Sequence, residues 1–310
     1  LNRSRGEIAC TMLDLGEVWQ ITGQWGEAND ICQAALNLAQ AAQDQSTTAR
    51  CQYALGRIAR LQGDYPAALK WLELARQAYQ DRAEYQGLSE TMREIGIIYW
   101  SQGSYSQALE RFEKVLQLKD GLKDQSVVYQ AMSNIGLVHW YQGEYAQALQ
   151  WFEQALALSS QAGDRLRSSM IVSNMGNVYL EQGRYAQAFG CYIQTLRIAQ
   201  ELGNRLGICA AVGNLGNVYW QQGEYANALQ CHIYNLYLGL ELGDRLGITG
   251  ALWGIAETFK QRDQYPEAME IITRAVTLGR ALETPFELSD YLNSQADLLF
   301  KMGDLAASQT

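Results

Sequence analysis

Apolar and polar positions repeat every 40 residues along the chain. Residues 174–179 read Asn-Met-Gly-Asn-Val-Tyr, residues 214–219 read Asn-Leu-Gly-Asn-Val-Tyr, and residues 134–139 read Asn-Ile-Gly-Leu-Val-His. A column of small residues keeps the same spacing: Gly16, Gly56, Gly96, Gly136, Gly176, Gly216, Ala256 and Ala296. A fixed period of this length indicates that each repeat is one supersecondary unit, covered by its neighbours. The sequence therefore predicts a solenoid rather than one central core.

Each repeat contains two helical patterns. In the third repeat, Met92, Ile95 and Tyr99 are spaced to share one face of a helix. Gly103 then supplies the left-handed residue that ends this helix. The apolar positions between residues 105 and 116 mark a second helix. We call these helix A and helix B, and the predicted order is helix A, short turn, helix B, short turn.

Two further columns predict how the helices begin and pack. Asp164, Asn204 and Asp244 follow a turn glycine and are well placed to cap the next helix. The small residue in helix A is expected to lie opposite a column of alanines in helix B, so that the two helices approach closely. That column is Ala28, Ala68, Ala108, Ala148, Ala188, Ala228 and Ala268.

Charge and composition narrow the function. The formal net charge is −9 and the 24 basic residues are scattered, which disfavours a nucleic-acid partner. A basic amphipathic face and an apolar run of about 20 residues are both missing from the sequence, so we expect no membrane partner. The six cysteines form no C-x-x-C pair and are expected to be free thiols in the cytoplasm. The motifs of phosphate loops, zinc sites and nucleophile elbows do not occur, so we expect no catalytic residue, cofactor or metal.

The spacing Ile95-Gly96-x-x-Tyr99 followed by Ala108-x-x-x-Phe112 resembles the tetratricopeptide repeat, and the resemblance covers residues 8–305. The period is 40 rather than 34 and the usual closing proline is absent, as in the longer-repeat branch of Pins-type scaffolds, kinesin light chains and bacterial signalling proteins. The resemblance implies an all-α fold, a right-handed α-solenoid of antiparallel helix pairs. Residues 1–310 would form one solenoid of about eight units, as an excerpt of a longer bacterial protein.

The resemblance also implies that helix A lines a concave groove, with positions 14, 17 and 20 of each repeat facing it. The candidate peptide-binding residues at these positions are Asn134, Asn174, Asn214, Asn177, Asn217, Trp100, Trp140 and Trp220. An asparagine amide offers a donor and an acceptor, which suits a peptide backbone, and tryptophans supply large apolar contacts. In the alternative reading these asparagines bond neighbouring helices and the tryptophans are packing residues.

Two other sets of residues are candidates for a site. Arg165, Arg205 and Arg245 could contact an acidic ligand, although we expect them instead to pair with acidic residues on a solvated turn. His139 and His232 each stand where the pattern has an aromatic residue, and we expect both to be core residues.

The sequence thus favours a protein–protein interaction scaffold that binds an extended peptide or partner segment in the concave groove, and not an enzyme. The alternative is a regulatory sensor arm of a larger signalling protein, controlling an attached effector domain. Self-association through exposed aromatic residues is a third possibility.

Overall fold

The computed structural model describes the backbone of residues 2–21, 24–282 and 285–308, and the side chains of residues 4–19, 24–281 and 288–303. In these ranges the chain forms fifteen α-helices, one 3-10 helix and no strand. The A helices are α1 (Asn2–Ile21), α3 (Gln45–Leu61), α5 (Tyr85–Ser101), α7 (Ser126–Tyr141), α9 (Arg165–Glu181), α11 (Arg205–Gln221), α13 (Arg245–Gln261) and α15 (Pro285–Ser308). The B helices are α2 (Trp25–Ala41), α4 (Tyr65–Asp81), α6 (Tyr105–Gln117), α8 (Tyr145–Gln161), α10 (Tyr185–Glu201), α12 (Tyr225–Leu242) and α14 (Tyr265–Leu282). The predicted all-α solenoid of helix pairs is confirmed.

The chain divides into two compact units, residues 1–162 and residues 163–310, here the N-terminal and the C-terminal unit. Within each unit every helix packs against the next helix of the chain. Some A helices also contact the following A helix, as α3 does with α5 and α11 does with α13. Both units therefore bury apolar surface between successive helices rather than in one centre.

The small-residue column of helix A is required by close packing. A Cβ at Gly96 would lie 2.5 Å from Cε1 of Phe112, and one at Gly136 would lie 2.7 Å from Cε1 of Phe152. The nearest atoms thus belong to Phe112 and Phe152, each of which comes four residues after an alanine of the helix B column. The sequence had predicted that the alanines themselves lie opposite the glycines. The alanines are nevertheless fully buried. Because helical side chains lean toward the N-terminus of their helix, the large side chain extends back past the alanine into the space beside the glycine.

The turns carry the predicted signals. The glycines that follow five of the A helices have φ between 68° and 80°, the left-handed conformation that ends a helix. Asp164, Asn204 and Asp244 each accept a hydrogen bond of 3.0 Å from the backbone N–H three residues later. The predicted N-caps are therefore confirmed. Three residues other than glycine, Gln43, Ala83 and Asp263, also have positive φ.

Two helices depart from the regular pattern. Helix α6 has 13 residues, and a 3-10 helix at Lys119–Gly121 precedes α7. Helix α15 continues through Gly303 to Ser308, although that glycine belongs to the column that follows the ends of α3, α5, α7, α9 and α11. Along the described ranges, no helix combines the length and the hydropathy that a membrane span requires.

The left-handed turn at Ala83 offers a test of the backbone. Ala83 is exposed and has φ 52°, where a side chain costs about 1 kcal/mol or more. We expect Ala83→Gly to raise the free energy of unfolding by about 0.5 kcal/mol, after the greater freedom of glycine in the unfolded chain is subtracted. Thermal unfolding followed by circular dichroism measures the change.

Ala162 provides the matched control, because it is also exposed, also follows a B helix and has φ −74°. Ala162→Gly should lower the melting temperature, since its backbone needs no glycine. Equal losses in both variants would contradict the left-handed conformation of Ala83.

Candidate functional site

Within each unit, we call the A-helix residues at positions 14, 17 and 20 of the repeats the A-helix face. In the C-terminal unit its members are Asn174, Asn177 and Leu180 on α9, Asn214, Asn217 and Trp220 on α11, Gly254, Glu257 and Lys260 on α13, and Ser294, Asp297 and Phe300 on α15. The spacing of three places each trio along one side of its helix. The four asparagines are half-buried, so each is held by its surroundings and keeps part of its surface toward solvent.

Two of these asparagines have hydrogen bonds to other helices. Asn177 Oδ1 accepts a hydrogen bond of 2.7 Å from the hydroxyl of Tyr192 on α10. Burial raises the pKa of Tyr192, so the hydroxyl remains protonated and donates. Asn214 Nδ2 donates to Ser173 Oγ on α9 at the longer distance of 3.4 Å. The carboxamide of Asn177 is thereby oriented, and its N–H groups are not used in this bond.

The A-helix face of the C-terminal unit contains a recess of about 180 Å³. Five of its lining residues belong to the face, namely Leu180, Asn217, Trp220, Gly254 and Glu257. Position 14 is asparagine in the two preceding repeats and glycine at residue 254. The missing side chain at Gly254 therefore leaves room for the recess.

His232 of α12 forms the deep wall of the recess. A Cβ at Gly216 would lie 2.7 Å from its Cε1, and a Cβ at Gly254 would lie 2.6 Å from the same atom. The ring is therefore packed between the backbones of α11 and α13, and the residue is 2% exposed. The expectation that His232 is a core residue is confirmed, but it also reaches the candidate site. The sequence carries two signals of this arrangement. His232 is a polar ring in the helix B column that holds Phe112 and Phe152, and the next repeat has Gly254 in the column that holds asparagine in the preceding repeats.

Two buried nitrogens of residues that line the recess lack hydrogen bonds. His232 Nε2 and Trp220 Nε1 are both buried, and neither has a partner among the described residues. Burial lowers the pKa of His232 from 6.5 to about 4, so the imidazole is neutral at pH 7. The second tryptophan of the recess, Trp253, donates instead to Ser294 Oγ at 3.0 Å.

Charged residues surround the same recess. The two carboxylate oxygens of Glu257 each lie 2.8 Å from Nζ of Lys260. Lys260 Nζ is also 3.2 Å from Asp297 Oδ2. Glu181 lines the recess and is exposed. Lys301 Nζ lies 3.8 Å from the same Asp297 oxygen. Three carboxylates thus stand against two ammonium groups, and the surroundings carry a net negative charge.

In the N-terminal unit, the predicted tryptophans belong to an aromatic cluster. The ring centroids of Trp100 and Tyr141 are 5.4 Å apart, and those of Trp140 and Tyr141 are 5.0 Å apart. Both tryptophans are half-buried and Tyr141 is exposed. They thus pack together and still present aromatic surface. Asn134 is half-buried, and its Nδ2 has no hydrogen-bond partner in the described ranges.

The N-terminal unit also holds a charged cluster that was not predicted as a site. Glu94 is 2% exposed and accepts hydrogen bonds from Arg60 at 2.6 Å and Arg93 at 2.5 Å. Burial would raise the pKa of Glu94, but Arg93, Arg60 and Arg57 together lower it below its ordinary value. The sequence signal was arginine at positions 17 and 20 of one repeat, followed by glutamate at position 14 of the next.

The arginine column is engaged on the protein surface. Arg165 forms an ion pair with Glu201, and Arg205 lies 2.5 Å from Glu241. Each pair joins the start of an A helix to the end of the B helix in the same repeat, and its side chains are exposed. At the position that these glutamates occupy, the repeat of Arg245 has Ala281. Exposed pairs of this kind stabilise a fold only slightly. Contact with an acidic ligand remains a prediction for all three arginines.

Comparisons with known proteins agree with this architecture. Models described as tetratricopeptide repeat match residues 7–81, 166–233 and 93–163, together more than half of the chain. No curated protein matches the sequence. The described part of the chain holds no group of three or more histidine, cysteine, aspartate or glutamate residues suited to a metal ion.

Several solved structures share the fold at low identity. Apo RapI has a TM-score of 0.71 and 13% identity, covering 89% of this chain and 98% of its own. NprR in complex with its cognate peptide NprX has a TM-score of 0.64 and 15% identity, covering 93% and 82%. A signal transduction ATPase with numerous domains from Pyrococcus horikoshii, which has a tetratricopeptide repeat sensor, has a TM-score of 0.69 and 14% identity, covering 95% and 45%. At these identities the likeness concerns the fold.

The buried His232 makes stability depend on pH. Its pKa falls from 6.5 to about 4 on folding, so between these values the unfolded chain takes up a proton that the folded chain does not. The contribution of the neutral His232 to the free energy of unfolding is therefore fully present above pH 6.5 and is lost as the pH falls toward 4. We expect His232→Phe, which restores the ring type of Phe112 and Phe152, to reduce the loss of melting temperature between pH 7 and pH 5. An unchanged loss in this variant would contradict the neutral, buried imidazole.

Proposed function

The chain belongs to the tetratricopeptide-repeat family, and from this premise we propose that it is a protein-interaction module whose A-helix face holds an extended segment of a partner protein. The observation that carries the proposal is the set of half-buried asparagines on α9 and α11, Asn174, Asn177, Asn214 and Asn217. They recur at positions 14 and 17 of consecutive repeats.

Asparagine in these positions is not explained by helix stability. Inside a helix it is less favourable than alanine by about 0.6 kcal/mol. The one hydrogen bond of Asn214 to another helix is long, at 3.4 Å, and the Nδ2 of Asn134 has no partner among the described residues. A row of carboxamides can instead pair with the N–H and C=O groups of an extended backbone, whatever its side chains.

The orientation of Asn177 supports the same role. The Tyr192 hydroxyl occupies its oxygen, which leaves the N–H groups available to a backbone carbonyl of the partner. Trp220 on α11, and Trp100 and Trp140 in the N-terminal unit, add aromatic surface of the type that contributes most to binding energy. Among the proteins that share the fold, NprR was solved with its cognate peptide, which agrees with a peptide as the ligand.

We expect the module to act by binding, without catalysis, inside the cytoplasm. The net charge of −9 repels nucleic-acid phosphates and anionic lipid surfaces, so a protein segment is the favoured partner. Acidic residues of such a segment would contact Arg245, whose repeat has no glutamate at the matching position. They would also contact Arg165 and Arg205 when these leave Glu201 and Glu241.

A second proposal is that the repeats are the sensor arm of a larger signalling protein. The recess of about 180 Å³ favours it, because a bounded pocket suits a small ligand better than a long segment does. The Pyrococcus protein that shares the fold also carries such repeats as a sensor. A sensor would bind its effector domain only when the ligand is present, whereas a scaffold would bind its partner without one.

The asparagine face can be tested by its removal. We expect the variant Asn134→Ala/Asn174→Ala/Asn214→Ala to unfold at the same or a higher temperature, because alanine is the better helix former. Its affinity for the partner segment should fall at least about tenfold, which corresponds to 1.4 kcal/mol. The partner is captured from host lysate with the parent chain, its bound segment is mapped with synthetic peptides, and calorimetry gives the dissociation constants. The variants Asn134→Ala and Asn174→Ala/Asn214→Ala measure each unit separately.

The control variant Asn29→Ala/Asn37→Ala/Asn227→Ala removes the same number of carboxamides from the B helices α2 and α12, and should keep the affinity of the parent. If both triple variants bind the mapped segment as the parent does, the A-helix face is not its binding site.

A further inference from the structure

We propose that the arginine cluster of the N-terminal unit, formed by Arg57, Arg60 and Arg93 around Glu94, binds the carboxylate of an acidic side chain in the partner segment. This inference rests on the proposed function, since the partner segment would carry the acidic residue. Arg57, Arg60 and Glu94 occupy positions 17, 20 and 14 of their repeats and so belong to the A-helix face. The cluster would add a preference for one side chain, whereas the asparagines would contact a backbone whatever its side chains.

Glu94 holds two of the arginines in place. It is 2% exposed and accepts hydrogen bonds from Nε of Arg60 at 2.6 Å and from Nη2 of Arg93 at 2.5 Å. Because each arginine contacts a different oxygen of one carboxylate, their guanidinium groups lie next to each other. Arg57 is near as well, since it lowers the pKa of the same carboxyl together with Arg93 and Arg60. A ligand would therefore meet donors that are already positioned, which reduces the cost of binding.

The charges of the cluster do not balance. Burial raises the pKa of Tyr53, and among the carboxylates Glu94 and Glu90 raise it most, so this phenol is neutral at pH 7 and both carboxylates are near it. The guanidinium of Arg57 lies 5.7 Å from the centre of the same ring. Three guanidinium groups thus stand against these two carboxylates, and one positive charge is in excess. One carboxylate of a ligand would balance it, whereas a phosphoryl group, with a charge of about −1.5 to −2, would exceed it.

The terminal nitrogens of the cluster are open to a ligand. Arg57 has no hydrogen bond among the described residues, and its Nε is a buried nitrogen whereas its Nη1 and Nη2 are not. Both Nη atoms of Arg60 and Nη1 of Arg93 are likewise neither buried nor used in the bonds to Glu94. The side chains of Arg60 and Arg93 are 19% and 18% exposed. A guanidinium only donates, and a carboxylate offers two oxygens that accept from it with charge assistance.

The packing of the solenoid does not require these charges. In the next repeat, positions 17 and 20 are Ile97 and Trp100, so apolar residues fill the same places there. A buried ion pair is often no more stabilising than apolar residues of similar size, because both charges lose their water. Arg57 and Arg60 are therefore better explained by a ligand than by folding.

The test follows the Nε–H signal of Arg60 in the whole chain labelled with ¹⁵N-arginine, assigned by its loss in Arg60→Lys. The hydrogen bond to Glu94 protects this proton from exchange with water. The probes are N-acetyl-glutamate N-methylamide and the matching glutamine derivative, at equal ionic strength. We expect the glutamate probe to shift the signal in a saturable way, with a dissociation constant at least about tenfold lower than that of the glutamine probe.

Variants of Arg57 test the cluster without leaving Glu94 unpaired, because Arg57 is not bonded to it. Arg57→Gln should weaken binding of the glutamate probe at least about fivefold, and Arg57→Lys, which keeps the charge, should bind it more tightly than Arg57→Gln does. Arg76→Gln is the matched control. It removes the same charge from the same unit, but Arg76 pairs with Glu73 on α4 at 2.5 Å, so this variant should bind as the parent does.

Four results would overturn the inference: an equal response to the glutamate and glutamine probes, an unchanged affinity in Arg57→Gln, an equal loss in Arg76→Gln, or tighter binding of N-acetyl-phosphoserine N-methylamide than of the glutamate probe. Probe selectivity is measured on the parent chain, so it does not depend on the folding of a variant. Loss of the mapped segment in the asparagine variant, together with no preference for the glutamate probe, would reject this inference and leave the proposed function in place. The opposite pair of results would reject the asparagine face and leave the arginine cluster as a site for carboxylates.

Discussion

The contact between the glycine column of helix A and the large side chain of helix B determines how the second to sixth repeats are built. Gly96 against Phe112, Gly136 against Phe152 and Gly176 against Tyr192 leave no room for a Cβ. Glycine inside a helix is less stable than alanine by about 1 kcal/mol. Its recurrence shows that close packing of the ring on the helix backbone outweighs this loss. The distance between the two helices, and hence the position of the A-helix face, follows from this contact.

Much of the fold was predictable because each signal is local and recurs. The positive φ of Gly103 and Gly143 and the N-caps Asp164 and Asn204 follow from the backbone requirements of single residues. The irregular parts of the fold were harder to predict from the sequence. The shortened α6 and the continuation of α15 through Gly303 are local departures, which a repeating pattern does not predict.

The candidate site was predictable only in part. The spacing of three residues places Asn217 and Trp220 along one side of α11, and both line the recess. The spacing could not show that Tyr192 donates to Asn177. That hydrogen bond joins α10 to α9, and it depends on how far the tyrosine side chain reaches between the two helices. The recess likewise needs His232 from α12 and Gly254 from α13 to meet. Neither residue is unusual alone, and only the packing of the two helices brings them together.

The bond from Tyr192 to Asn177 has a consequence for how such a protein changes over time. The hydroxyl belongs to a residue that fills the interior, yet it fixes the direction of a group on the A-helix face. His232 occupies the equivalent column one repeat later and lines the recess. Replacement of a single interior ring can therefore alter what the neighbouring surface recognises while the exposed residues stay the same. Two proteins with identical binding faces could then differ in ligand preference, and the difference would be found one layer beneath.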